Sequence, residues 1–450
     1  MTFRTEPAPD ATDATVDGDA PFTPGSARAA LAHRDFRIVW LGALGSNVGT
    51  WMQNVALGVF GYQLTHSAQF VALLGFAQLG PLLILSAVGG ALADVVDRRR
   101  LLVWCQAEQM VLSFLLAWVV MGHNPSKIAV VACVLAVGVG NALNAPTFAA
   151  ILPSLVGRRD LAGAVSLQSV QLNVSRVVGP AIGGLLLPSI GAAGVFALNG
   201  VTYLFAIATL LVVHPPAAAR GGAGDGPSGW RRLVGGFAVA RTNRVVRRSL
   251  VTMATMSFFS LPFIGLMPVL ADRNLGINPK SAAYGALYAA FGLGAALGAV
   301  AVGTVLVHQP KPRLVRVSLG AFAVSLLGFA FLRNAVAAYP VVLVVGLTYF
   351  TMVTALSTHL QETIDNAVRG RVMALWIMSF GGTVPVGLLA GGWLAARTSI
   401  TAVVALGAAF AAVLTLFADV RPAPGQAEAG RLRARRSPRR PDAAPATAPD

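Results

Sequence analysis

The sequence predicts an all-α membrane protein, with twelve transmembrane helices arranged as two six-helix bundles. Three observations carry the prediction. First, the 450 residues are 55% hydrophobic and only 12% charged, with a mean hydropathy of +0.68, and apolar runs repeatedly reach the roughly 20 residues that a bilayer crossing needs. Second, basic residues collect in alternate loops. Third, a Pro/Gly/Ala segment divides the runs six and six. A bilayer offers the backbone no hydrogen bonds, so each run must close its own and is a helix. A transmembrane barrel would instead show alternating segments of about ten residues, and none occur.

Residues 1–27 are acidic and rich in Ala, Thr and Pro, without an apolar stretch. They read as a disordered cytoplasmic tail rather than a signal peptide. The first bundle occupies residues 28–213, with apolar runs near 36–62, 68–93, 101–122, 126–149, 163–187 and 191–213. A cytoplasmic linker follows at 214–248. It opens on the flexible composition of Pro215 to Gly229 and continues as the basic stretch WRRLVGGFAVARTNRVVRRSL, Trp230 to Leu250. There Trp230, Leu233, Phe237 and Arg241 recur at three- and four-residue steps. The spacing predicts a helix lying on the membrane surface with its arginines toward lipid phosphates; a calmodulin-like target site is the alternative. The second bundle, 249–420, has runs near 249–271, 281–307, 314–332, 335–360, 371–395 and 399–419. Residues 421–450, rich in Arg, Pro and Ala, read as a second disordered, basic cytoplasmic tail.

Charge sets the expected orientation. The net charge of +16 is carried by arginine, since lysine is scarce. With both tails placed in the cytoplasm, of the 34 lysines and arginines only Lys127, Arg273, Lys280, Arg333 and Arg397 fall on the far side, and Arg176 alone falls inside a span. That asymmetry is the positive-inside pattern, so both termini of a multi-pass membrane protein are expected in the cytoplasm. Topology accounts for the basic charge, and no nucleic-acid partner is expected; the bilayer is the partner. Cys105 and Cys133 lie inside apolar runs and offer neither a disulfide framework nor metal-ligand spacing. No metal or cofactor is expected.

One charged stretch interrupts the apolar sequence: GGALADVVDRRRLL, Gly89 to Leu102, between spans two and three. Gly90-Ala-Leu92-Ala-Asp94, followed by Arg98 and Arg99, resembles the loop 2–3 signature of the major facilitator superfamily, with Val95 in place of the usual basic residue and Asp97 in place of the usual glycine. The Asp-Arg-Arg variant is similar to that of the enterobactin-exporter-like bacterial permeases. Further likeness to this branch lies in FRIVWLGALGSNVGTWMQNVALG (Phe36 to Gly58), YQLTHSA (Tyr62 to Ala68), NAPTFAAILPSLV (Asn144 to Val156), NVSRVVGPAIGGLLL (Asn173 to Leu187) and, in the second half, VRGRVMAL (Val368 to Leu375). Gly179-Pro180-x-x-Gly183-Gly184 resembles the span-five motif of facilitator antiporters. The resemblance implies a proton-coupled secondary exporter of a small amphiphilic molecule, drug or siderophore-like, working by alternating access as a monomer. It also implies that Asp94 meets the start of span eleven, near Arg371 to Ala374, and that Asp94, Arg98, Arg99 and Gly90 form a gating latch. The plain alternative is a positive-inside loop, which leaves Asp94 unexplained.

Charges inside spans are costly and usually face a cavity or a partner. Arg176 lies about thirteen residues into span five, roughly 20 Å along the helix, on a stripe with Ser169 and Asn173. It is expected in a cavity or gate, or satisfying buried carbonyls. Glu108 is the one carboxylate well inside a span. It is the candidate for proton coupling, or else it snorkels toward water with Gln106 and Gln109; His359 and Glu362 are weaker candidates. Substrate-facing candidates are Asn47, Trp51 and Asn54 in span one, Asn141 and Asn144 in span four, Asn173 in span five, Phe259 with Phe258 and Phe263 in span seven, and Tyr349 with Met352 in span ten. An aromatic, mostly apolar pocket with a few amides suits an amphiphilic ligand; the same stripes also fit plain helix packing. Gly179 with Gly183, and Gly294 with Gly298, have the spacing that lets helices approach closely, and Gly179-Pro180 can bend span five.

No His-Glu-x-x-His, Gly-x-Ser-x-Gly or Walker A motif occurs, so no enzymatic activity is expected. The alternatives to a proton-coupled exporter are an exporter of an endogenous metabolite without proton coupling and a transport-inactive membrane sensor.

Overall fold

The computed structural model describes residues 22–213, 229–418 and Val420. The expected tails at 1–21 and 421–450 and the linker segment 214–228 lie outside the described residues. So do the side chains at 84, 86–91, 93–95, 158, 229–235, 366, 367, 370 and 374. The described residues form helices and short connections, without strands.

Span one is Arg34–Thr65, span two Ala68–Val95 and span three Arg98–Met121. The helix Lys127–Val212 is broken twice, where Gly157 and Gly191 take φ of 71° and 67° with ψ near 175°, a conformation open to glycine and strained for any side chain. Those breaks separate span four (127–156), span five (158–190) and span six (192–212). Span seven runs from Arg244 to Leu275 and bends by 61° between Arg244–Gly265 and Met267–Leu275. Spans eight, nine, ten and twelve are Ala282–Gly303, Lys311–Phe331, Ala335–Thr363 and Ile400–Phe417. Span eleven is Asn366–Ile377 continued through Met378–Gly382 into Thr383–Arg397. Eight of the described helices are long and apolar enough to cross a membrane, or nine with the bent pair taken as one.

The helices start where polar caps sit just outside the apolar runs. Side chains of Ser67, Asp97, Ser126, Ser281, Asn334 and Ser399 each accept from a backbone N–H of the first turn, satisfying donors that have no helical partner. The basic stretch 230–250, expected as one surface helix, is split. Asn243 accepts from the N–H groups of Val245 (2.9 Å) and Val246 (3.2 Å), ending the linker helix Gly229–Thr242 and starting span seven. Spans seven and eleven each hold one wide turn, Met256–Ser260 and Met378–Gly382. Pro262 and Pro385 follow within a turn, and a proline's missing N–H is the usual cause of such a break.

Two faces can be named from the connections. The linker face carries the linker helix and the loop 96–97; the opposite face carries His66, Gly191 and Gly276. Contacts between the two bundles cluster toward the opposite face. Gly58 lies against Pro268, Gly75 and Gly392 of the two bundles take up Leu388 and Ala72, and the Gly184 and Gly285 backbones touch. At mid-depth Gly292 meets the backbone of Arg176 and Val177, and Gly382 meets Leu83. The apolar core follows the same division. One buried cluster runs through the second bundle and the opposite-face half of the first. Another, including Phe36, Val39, Leu102, Ile151, Leu167 and Leu210, belongs to the first bundle alone, near the linker face. A short helix, Ala27–Ala32, docks there: Asp160 accepts from the Gly25 N–H at 2.9 Å and pairs with His33 Nε2 at 2.8 Å.

Candidate functional site

The junction of the two bundles at mid-depth holds Arg176. Eighteen residues into span five, it points between Trp51, in the middle of span one, and Phe350, in the middle of span ten. Its guanidinium carbon lies 5.6 Å and 5.9 Å from the two ring centres. Its Nε is buried and makes no hydrogen bond, and no described carboxylate pairs with it. Tyr349 packs against Phe350 and Phe322, both at 5.4 Å between ring centres. Its hydroxyl is also buried and makes no hydrogen bond. One charge from the first bundle is thus enclosed by aromatic rings from both.

Helix approach makes this junction possible. Beside Arg176, Gly179 and Gly183 press span five onto Val48, Trp51 and Met52 of span one, while Gly184 meets Gly285 of span eight. A side chain at any of these positions would meet backbone. The backbone stays helical through Gly179 and Pro180. Gly294 and Gly298 likewise bring span eight onto the Leu343 and Leu347 carbonyls of span ten.

The other predicted pocket residues are dispersed. Asn47 donates to the Ala43 carbonyl (2.8 Å) and Asn173 to the Ser169 carbonyl (2.9 Å), each within its own helix. Asn54 accepts from Gln78 of span two, and Asn144 from Gln106 of span three at 3.3 Å. Asn141 is half-buried on span four, next to Gly140. Phe259 stacks on Phe410 of span twelve with ring centres 3.6 Å apart, and Phe263 sits between Phe291 and Phe329, which is second-bundle packing. Met352 is buried in the core.

Glu108 lies between spans three and four, with Oε2 buried against Gly140 and unpartnered. Its sequence neighbour Gln109 belongs to a buried network that crosses the first bundle. Gln53 of span one accepts from Ser113 (3.1 Å) and from Asn199 of span six (2.7 Å). Tyr203 donates to Gln109 (3.2 Å) and bonds Thr50 (2.8 Å). His359 is tied to the Val420 carbonyl at 2.9 Å, and Glu362 sits exposed at the linker face.

At the linker face the side chains of Gly90 and Asp94 lie outside the described residues. Those after them are placed. Asp97 caps span three through the Arg100 N–H (2.8 Å), Arg98 donates to the Ala150 carbonyl of span four (3.1 Å), and Arg99 donates to Leu210 and Leu211 at the end of span six (both 2.7 Å). Arg99 thereby satisfies carbonyls in the last turn of span six that have no helical donor. The start of span eleven, at Arg371 and Leu375, packs on Gly236 of the linker helix. At the opposite face Tyr62 of span one donates to Asp272 of span seven (2.7 Å), and Arg273 donates to the His66 carbonyl (3.1 Å), beside a cavity of about 260 Å³ lined by Gln63 and Asn278 among others.

Sequence reasoning missed Phe350, the Tyr62–Asp272 contact and the Gln53 network. Gln53, Ser113 and Asn199 lie on three different apolar runs, and only tertiary packing brings them together. Tyr62 and Asp272 bracket the apolar runs on two helices, and an aromatic facing an acid across two span ends is a signal that was available.

The chain matches the family model described as transmembrane secretion effector over residues 25–441. It is 26% identical over 351 residues to the staphyloferrin A transporter of Staphylococcus aureus, covering 76% of this chain and 85% of that one. It is 30% identical over 357 residues to the enterobactin exporter EntS of Escherichia coli, covering 76% and 81%. Among solved structures, the nucleoside transporter NupG superposes with a TM-score of 0.69 at 14% identity, over 86% of this chain and 98% of that one, a likeness of fold.

Proposed function

Because the chain belongs to the transmembrane secretion effector family of major facilitator transporters, we propose that it exports a small amphiphilic compound, drug or siderophore-like, by alternating access between its two bundles. The observation that carries this reading is the mid-depth junction. Trp51, Arg176 and Phe350 meet where both bundles contribute walls, and transporters built from two bundles bind substrate there. That the relatives include a siderophore exporter favours the same direction and substrate class.

In the reading we propose, all twelve helices cross a bacterial inner membrane with both termini in the cytoplasm, so the linker face is cytoplasmic. The arginine asymmetry supports this. Contacts between bundles then sit on the outer side, and rocking would break Tyr62–Asp272 while Asp94 reaches the start of span eleven. Export is driven by protons, and Glu108 is the coupling group: it is a titratable side chain inside a span, with one oxygen unpartnered. The protein works as a monomer.

The test is efflux from proteoliposomes carrying an imposed pH gradient, against a panel of fluorescent amphiphiles and ferric-chelator analogues. Gradient-dependent export abolished by an uncoupler is expected. Glu108→Gln is expected to retain downhill flux while losing its dependence on pH. Export unaffected by the uncoupler would replace proton coupling, and unchanged pH dependence in Glu108→Gln would remove that residue from the coupling step.

A further inference from the structure

We propose that Arg176 is an anion-recognition point and that the exported compound carries a negatively charged group, a carboxylate or a comparable oxyanion, on an apolar or aromatic body. The inference rests on the export reading and names its substrate class. Arg176 is the single lysine or arginine placed inside a span by the sequence, and it sits at mid-depth in its helix, as do Trp51 and Phe350. Holding a guanidinium inside a span is costly. Such a group normally finds a carboxylate or a set of carbonyls. Here Nε is buried and unbonded, and among the described residues no carboxylate pairs with it. Glu108, the other charge within a span, is packed elsewhere, against Gly140 between spans three and four.

The two aromatic rings at 5.6 and 5.9 Å offset some of this cost. Neither ring offers an oxygen acceptor, and the Nε–H is left without a hydrogen bond. A planar fork in a site of low polarity matches a two-oxygen anion. The Tyr349 hydroxyl, on the residue preceding Phe350 and buried without a hydrogen bond, is the next available donor. Trp51 from one bundle and Phe350 from the other would then flank the ligand's apolar part. An anion here replaces water around the charge and touches both bundles at once, so it can bias the equilibrium between their two arrangements by its differential contacts.

The experiment measures binding and needs no transport. Purified protein in phosphatidylcholine nanodiscs is titrated with matched pairs that differ in one group, among them 2-naphthoate against 2-naphthamide, salicylate against salicylamide and dansylglycine against its amide, read by the shift in thermal unfolding midpoint. At least one anion is expected to bind roughly tenfold or more tightly than its neutral twin. Arg176→Gln should erase that preference and Arg176→Lys should keep part of it. Should Arg176→Gln lose its folded state, Tyr349→Phe serves as the second variant and is expected to reduce the preference severalfold. A preference that survives both variants, or anions binding no better than amides throughout the panel, overturns the proposal. Repeating the titration with phosphatidylglycerol in the nanodisc separates a soluble anion from a lipid headgroup. Competition by the lipid that itself vanishes in Arg176→Gln would assign the site to the headgroup and overturn the claim for a soluble cargo. Anion preference in protein that exports nothing would retain this site and defeat the export reading; export without anion preference would do the reverse.

Discussion

At the scale of single residues, charge in this chain divides by what lies within reach of it. Asp97, Arg98 and Arg99 form a compact run, yet each serves a different helix end or carbonyl. Asp97 caps the N-terminus of span three, Arg98 takes a carbonyl of span four, and Arg99 closes the last turn of span six. Topology predicted positive charge in that loop, and the helix ends explain why arginine suits it, since a guanidinium can reach two carbonyls at once, as Arg99 does. Asp160 is a comparable case at the first residues of span five. Its carboxylate holds both the Gly25 N–H and the His33 ring, and so fastens the short helix Ala27–Ala32 to the bundle. The pair is partly exposed, so it is worth about 1 kcal/mol or less. Asp160→Ala is expected to raise amide exchange severalfold across residues 25–33 while leaving exchange in spans three and six unchanged; equal protection in both proteins would mean that the apolar contacts of Ala29 and Ala30 suffice.

At the scale of elements, the legible signal was the apolar run, and the residue at which each break falls was not. All twelve runs lie in helices, most with ends a few residues further out, as at Arg34–Thr65 and Arg244–Leu275, and some slightly shorter, as at Ala282–Gly303 and Ile400–Phe417. The breaks at Gly157 and Gly191 and the wide turns before Pro262 and Pro385 give no periodicity signal of their own. Small residues decide how near two helices come, and Gly184 is the clearest instance: its backbone touches that of Gly285 across the bundle boundary. Gly184→Leu is expected to force spans five and eight apart and to lower the unfolding midpoint by several degrees, as overpacking by a few methylenes costs about 1–3 kcal/mol. Gly328, with open space where its Cβ would stand, is the control. Gly328→Ala should be neutral or slightly stabilising, because alanine loses less backbone freedom in a helix. A Gly184→Leu protein as stable as the parent would show that the approach of spans five and eight is not held tightly.

At the scale of the whole molecule, two sets of contacts would oppose one another. The opposite face is joined by Tyr62–Asp272 and Arg273–His66, while the linker face holds the motif whose acid the resemblance assigns to span eleven. An interaction made in only one arrangement shifts the balance by no more than its own energy. For a partly buried hydrogen bond such as Tyr62–Asp272 that is about 0.5–1.5 kcal/mol, a factor of about two to twelve. Tyr62→Phe is therefore expected to raise the population open at the opposite face by about that factor, read as a longer spin-label distance between positions 63 and 278. Asp94→Asn is expected to act in the other direction and to reduce transport about tenfold with normal insertion; transport at the parental rate would detach Asp94 from gating.

The sequence by itself determined the helices, their number of apolar runs, the sidedness of the basic residues and the presence of one arginine within a span. These follow from local quantities, hydropathy over about 20 residues and charge in short loops, which need no knowledge of neighbours. Only the tertiary structure decided which lone polar residues meet. Gln53, Ser113 and Asn199 are far apart in the chain and join because spans one, three and six pack together. Phe259, legible as a pocket aromatic, stacks on Phe410 instead. Arg176 could have faced carbonyls, a carboxylate or a cavity. It faces two rings from different bundles because glycines on spans five and eight let those backbones approach, a contact between surfaces more than a hundred residues apart in sequence.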